Sequence, residues 1–233
     1  MKRSRICLAV HTSVVVAGVL LLVPCAAVAG RDPNSPLLHP VASDVRAAKS
    51  LLLTRAILGT RFRASPSGTS PTNNSGSCAG FDPNLRALTE TAEVYGDLLT
   101  DRSEGLLFTS EAEVYSSSVE AAKAQALETA PGAGRCVGSL AEKSAGTNAV
   151  VLKKKITPVS LTLGDVRVKA WDAELLVRVN GRQLPVEATL FVYRHRRAVS
   201  FLFISGLESR AIGRYSHTAS AQMVKALLRA NLG

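Results

Sequence analysis

Aromatic side chains make up only 5% of this 233-residue chain, with a single tryptophan. The core must therefore be mainly Val, Leu, Ile and Ala. Cysteine is as sparse, with four in all, and Cys7 and Cys25 fall within the first 29 residues. No segment after residue 28 has the ~20 apolar residues that a membrane-spanning helix needs. No G-x-S-x-G elbow occurs. Gly132-Ala133-Gly134 follows an expected helix instead of opening one, so it is no phosphate loop. Beyond the first 29 residues the histidines are His39, His195 and His217, in a proline-rich stretch, a turn and a helix start. No two share a helical face, and neither remaining cysteine has a ligand-spaced partner. Neither a metal nor an organic cofactor is expected on this reading.

What is present points out of the cytoplasm. Lys2, Arg3 and Arg5 precede the apolar run Val14–Val23, and Ala27-Val28-Ala29 supplies small residues for a signal peptidase. Residues 1–29 read as a signal peptide removed after Ala29. An uncleaved anchor and acylation at Cys25 are the alternatives, and Pro24 argues against the second. The protein is expected to be secreted or held at the cell envelope. There Cys78 and Cys136 make a natural disulfide pair. That bridge would close a loop of about 58 residues, worth on the order of 4 kcal/mol in loop entropy.

Hydrophobic residues at 46% and charged residues at 20% exclude global disorder. Pro33, Pro36 and Pro40 mark residues 30–41 as an extended tether. One domain is expected over 42–233, with a flexible loop at 60–79 rich in Ser, Thr, Asn, Pro and Gly. Helices are expected near 44–58, 118–130 and 216–231, the second opened by a capping box at Ser117-Ser118-Val119-Glu120. Strands are expected near 86–96, 105–115, 148–156, 165–180, 183–194 and 198–205. Asn180-Gly181 signals a type I′ hairpin. Within 165–180 the apolar parity changes, which predicts a bulge near Trp171-Asp172. Ala198–Ile204 is apolar on both parities and belongs inside a sheet covered on both sides. No internal repeat is evident. The simplest burial solution is an α+β fold, an antiparallel sheet of about six strands with helices packed on its faces.

Candidate chemistry is thin. Glu111 and Glu113 share one parity of a strand, as paired acids for acid–base work would, but alternating acids usually line a solvated face. Ser205, Glu208 and His217 lie close in sequence and could serve a secreted hydrolase. Positive charge exceeds negative by 10, and two basic clusters concentrate it: Lys153, Lys154 and Lys155 on one strand, and Arg194, Arg196 and Arg197 at a hairpin tip. These could hold anionic envelope polymer or a membrane surface. They could equally protect a sheet edge and sit wet in a turn. Nucleic acid is not expected, given the location and the lack of interleaved aromatics.

The stretch Cys78-Ala79-Gly80-Phe81-Asp82-Pro83-Asn84-Leu85-Arg86-Ala87-Leu88-Thr89 leads into a strand. Leu107-Phe108-Thr109-Ser110, a capped helix and a second cysteine follow. This order resembles small secreted or lipid-anchored actinobacterial proteins with the PsbP-like α/β/α sandwich. Mycobacterial LpqN-type lipoproteins and the extracellular sensor domains of some bacterial Ser/Thr kinases share that fold. The chain departs from the lipoproteins at Cys25 and carries no kinase domain. The resemblance implies a non-catalytic binding or accessory protein of the envelope. Its partner would be an envelope component or another protein, and no functional residue carries over.

Overall fold

All six expected strands are present in the computed structural model, which describes residues 33–66, 81–145, 148–207 and 210–232. They are β3 (Thr89–Tyr95), β5 (Leu106–Tyr115), β6 (Val150–Leu163), β7 (Val166–Val179), β8 (Arg182–His195) and β9 (Ala198–Leu207). Three short strands join them: β1 (Leu37–Leu38), β2 (Arg63–Ser65) and β4 (Leu98–Asp101). The sheet therefore has nine strands where about six were expected. It is mixed, because β1 pairs with β3 in parallel. Strands of two to four residues are too short to display the alternation by which a sequence announces a strand. The order is β1-β3-β5-β9-β8-β7-β6, with β4 pairing to β5 and β2 to β4. Two-faced β9 lies between β5 and β8, and nine of its ten residues are buried. Lys153, Lys154 and Lys155 sit on β6, the edge strand.

The helices are α1 (Ala42–Ser50), the single turn α2 (Arg55–Leu58), α3 (Ser118–Glu128), α4 (Ala133–Ser144) and α5 (Arg210–Arg229). The expected 44–58 helix breaks between Ser50 and Arg55. The Ser117 hydroxyl caps α3 by accepting from the Glu120 amide at 3.2 Å, while the Glu120 carboxylate accepts from Ser116. Helix α4 was not foreseen, since Pro131-Gly132 reads as a helix stop. The chain in fact stops one helix there and starts the next within four residues. Residues 37–38 are extended as their prolines suggest, yet they belong to the sheet, and Pro36 is buried.

Helices α1 and α5 cover one face of the sheet, and α3 and α4 the other. On the first face Phe62, Phe108 and Tyr215 form an edge-to-face trio with centroids 5.1 to 6.5 Å apart. The second face buries mainly aliphatic residues with Phe201 and Phe203. This two-sided cover explains the parity change in β7 without a bulge. The β7–β8 ladder runs unbroken from Arg167↔Arg194 to Val179↔Arg182. Val166 and Val168 join the α1/α5 core, whereas Ala173, Leu175 and Val177 join the α3/α4 core. The strand passes from under one layer to under the other. The expected bulge at Trp171-Asp172 is absent. Asn180 and Gly181, with φ of 50° and 80°, form the expected tight hairpin turn.

Helix α4 reaches the sheet through glycines. A Cβ on Gly134 would stand 2.9 Å from the Trp171 ring, and one on Gly138 would stand 2.8 Å from Ile156. Alanine normally gains up to ~1 kcal/mol over glycine inside a helix. Here overpacking against an indole that cannot slide away opposes that gain and costs about 1–3 kcal/mol. Gly134→Ala should therefore lower stability in urea unfolding; a rise in midpoint would show that α4 stands off the sheet.

Candidate functional site

Strands β3 and β5 carry the same tetrapeptide, Ala92-Glu93-Val94-Tyr95 and Ala112-Glu113-Val114-Tyr115. They pair antiparallel, with Glu93 opposite Glu113 and Tyr95 opposite Glu111. In both copies Ala and Val fall in or against the α1/α5 core, so Glu and Tyr face α3 and α4. In each copy the tyrosine hydroxyl donates to the glutamate two residues earlier: Tyr95 to Glu93, and Tyr115 to Glu113 at 2.7 Å. Burial, then the neighbouring carboxylates, raises both phenols, so they remain protonated donors.

A third acid joins by a backbone irregularity. Glu90 and Glu93 are three residues apart and would face opposite ways in a regular strand. The register shifts between Glu90 and Ala92, so Glu90 pairs with Tyr115 while Ala92 pairs with Val114. The extra residue, Thr91, turns to the other layer and donates to Asp44 of α1 at 2.6 Å. A bulge of this kind re-aims a side chain. Carboxylate oxygens of Glu90, Glu93 and Glu113 lie within 4.8 Å of one another.

Glu128, the last residue of α3, completes the group. Its side chain is hydrogen-bonded with Glu113, and its Oε2 has no partner. Burial, then the charges of Glu113, Glu111 and Glu90, pushes this carboxyl well above the ordinary range. Glu93, Glu111, Glu113 and Glu128 form the polar floor of a cleft of about 110 Å³, with Glu90 beside them. Phe201 and Leu190 line its sheet side, Leu140 and Cys136 its α4 side, and Phe81 and Pro83 a further wall. Asn34 donates to Asp82 at 2.5 Å and its carbonyl accepts from the Leu85 amide, tying that wall to the chain before β1.

Glu111 and Glu113 are thus not solvated: they are 2% and 8% exposed. Alternation alone fails here because both faces of β5 are covered, which makes the acid parity as buried as the apolar one. Glu90, Glu93 and Glu128 were not foreseen. The repeated A-E-V-Y was the available signal for Glu93, while nothing local marks the bulge or the reach of α3. The expectation of no metal site also rested on the lack of an acid cluster along the sequence, whereas the register of β3 and β5 brings Glu90, Glu93 and Glu113 together.

The other candidates scatter. Lys154 pairs with Glu142 at 2.8 Å and Lys155 with Glu174 at 3.3 Å, while Lys153 is exposed on the same edge strand. Arg194 donates to Gln125, Arg196 occupies the hairpin turn with φ of 51°, and Arg197 binds Asp44. Glu174 and Arg167, the β7 partners of Lys155 and Arg194, are seven residues apart. At ~3.3 Å per residue the two basic clusters stand roughly 23 Å apart along the sheet. Ser205 shares the α3/α4 side of β9 with Phe201 and Phe203, whereas His217 is exposed on α5, across the sheet. The structure does not assemble them, and Glu208 lies outside the described residues. Cys136 is buried on α4 beside the cleft, while Cys78 and residues 1–29 lie outside the described residues.

No family model matches the chain, and none of the curated proteins matches it significantly. Among solved structures it is similar to an uncharacterised Mycobacterium smegmatis protein, the Rv0999 ortholog. That likeness has 15% identity and a TM-score of 0.44 over 79% of this chain and 97% of the other. It is also similar to the extracellular domain of PknH from Mycobacterium tuberculosis, at 13% identity and a TM-score of 0.42 over 80% and 98%. LpqN of the same organism, involved in cell envelope biogenesis, follows at 12% identity and a TM-score of 0.29 over 82% and 96%. The expected resemblance to mycobacterial envelope and extracellular proteins is found, and it is weak. Among the described residues no helix is long and apolar enough to cross a membrane.

Proposed function

We propose that this is an exported, non-catalytic binding protein whose ligand enters the cleft between the sheet and helices α3 and α4. The observation that carries the reading is the cleft itself, with apolar walls and polar groups converging on its floor, the usual form of a ligand site. In the same proposal residues 1–29 direct export. Cys136, already partnered and buried beside the cleft, is bridged to Cys78, which would brace the α4 wall. The basic clusters, well separated and with three of their six side chains in ion pairs, favour this reading over capture of anionic polymer.

The test is titration of the purified chain with Nile red, a neutral apolar dye. Saturable one-site fluorescence enhancement is expected, together with its loss in Leu140→Trp, whose indole would fill the cleft. Circular dichroism should show that the variant is folded. Enhancement that survives in folded Leu140→Trp would place dye binding elsewhere and defeat the reading.

A further inference from the structure

The acidic floor is a costly way to build a protein interior. Glu90 and Glu113 are 1% and 8% exposed, Glu111 is 2% exposed and Glu128 is 9% exposed. Like charges held this close repel, and each carboxylate loses hydration on burial. Well-packed apolar residues commonly stabilise an interior more than buried charge does. The arrangement is also specific. One bulge and two copies of one tetrapeptide are needed to bring the oxygens of Glu90, Glu93 and Glu113 within 4.8 Å of one another.

We propose that Glu90, Glu93 and Glu113, closed over by Glu128, hold a hard divalent cation of the calcium type; this deepens the cleft reading by naming what its floor binds. Five features of the site favour it. The donors are all oxygen, which selects calcium, magnesium or manganese over the softer metals. Calcium binds six to eight oxygens at 2.3–2.6 Å in flexible geometry, so oxygens up to about 5 Å apart can share one ion, whereas magnesium demands a tighter and near-ideal octahedron. Glu128 Oε2, on a side chain nine-tenths buried, has no hydrogen-bond partner and lies in the same cleft. Tyr95 and Tyr115 hold the Glu93 and Glu113 carboxylates in rotation, as outer hydrogen bonds do for metal-ligating acids. Glu93 is only half-buried, which leaves the ion a way in.

Terbium(III) serves as the probe, because tyrosines beside a bound lanthanide sensitise its emission. The chelator-stripped chain should show tyrosine-excited terbium emission, displaced by calcium, and a rise in melting temperature with calcium that magnesium reproduces poorly. Glu113→Gln should remove both signals while remaining folded, since it relieves repulsion. Tyr115→Phe should weaken binding by about 10-fold or more. Glu142→Gln, which removes an exposed acid elsewhere, should bind as the wild type does. Terbium emission unchanged in Glu113→Gln, or absent from the wild type, would overturn the inference. So would stabilisation by an alkylammonium ion with no response to calcium. If Nile red still binds in those cases, the cleft reading stands and only its cation is lost; if neither binds, both fall.

Discussion

Arg197→Ala should destabilise the protein by about 3 kcal/mol in urea unfolding at neutral pH. Arg197 closes the two-residue turn between β8 and β9 and grips Asp44 with both terminal guanidinium nitrogens, at 3.0 and 3.1 Å. The same side chain donates to the Tyr115 carbonyl at 3.1 Å. One residue thus fastens the hairpin, α1 and the end of β5. The Asp44 side chain is 7% exposed, so removing its partner strands a buried carboxylate, which costs about 3–5 kcal/mol. The lower end applies because the guanidinium remains 21% exposed and partly screened. Adding Asp44→Asn to Arg197→Ala should recover much of the loss, as a double-mutant cycle would show. Acid gives a second signature. Burial alone would raise the Asp44 carboxyl, but the hydrogen bonds from Arg197 and Thr91 outweigh it and hold the group below its ordinary value of 3.8. A depressed carboxyl contributes stability that is complete above 3.8 and vanishes as pH falls through the folded value. That loss should be present in the wild type and absent from Arg197→Ala. Equal acid sensitivity in both would show that the pair does not govern it.

The sequence was most legible where one periodicity ran long. All six expected strands appear, as do the capped start of α3 and the Asn180-Gly181 turn. Legibility failed where tertiary context decided the outcome. Short strands β1, β2 and β4 exist because neighbouring strands offer them free backbone groups, which no local pattern records. The Pro131-Gly132 punctuation marks both an end and a beginning, and only the need to cover β6 and β7 reveals α4. At Glu111 and Glu113 a rule for half-exposed strands met a strand covered on both faces, so the same alternation carried the opposite meaning. The site suffered most, because it depends on register: only pairing Glu93 with Glu113, and shifting Glu90 by one residue, turns scattered acids into a group.

Glu128 offers the sharpest contrast with Asp44, since here removing the ionisable group should strengthen the fold. Glu128→Gln keeps the shape and can keep a hydrogen bond to Glu113, because an amide donates to a carboxylate. It eliminates a group that burial and three neighbouring carboxylates hold against ionisation. In chelator-buffered solution at neutral pH the variant should be more stable by about 1–3 kcal/mol, the range seen when buried charge is replaced by neutral groups of similar volume. With millimolar calcium the order should reverse, because the wild type gains binding energy that the amide cannot match. Opposite signs in the two conditions would identify Glu128 as a residue kept for binding at the expense of the empty fold, the trade-off expected of functional sites. Destabilisation by more than about 1 kcal/mol in chelator would instead make Glu128 a structural tie between α3 and β5.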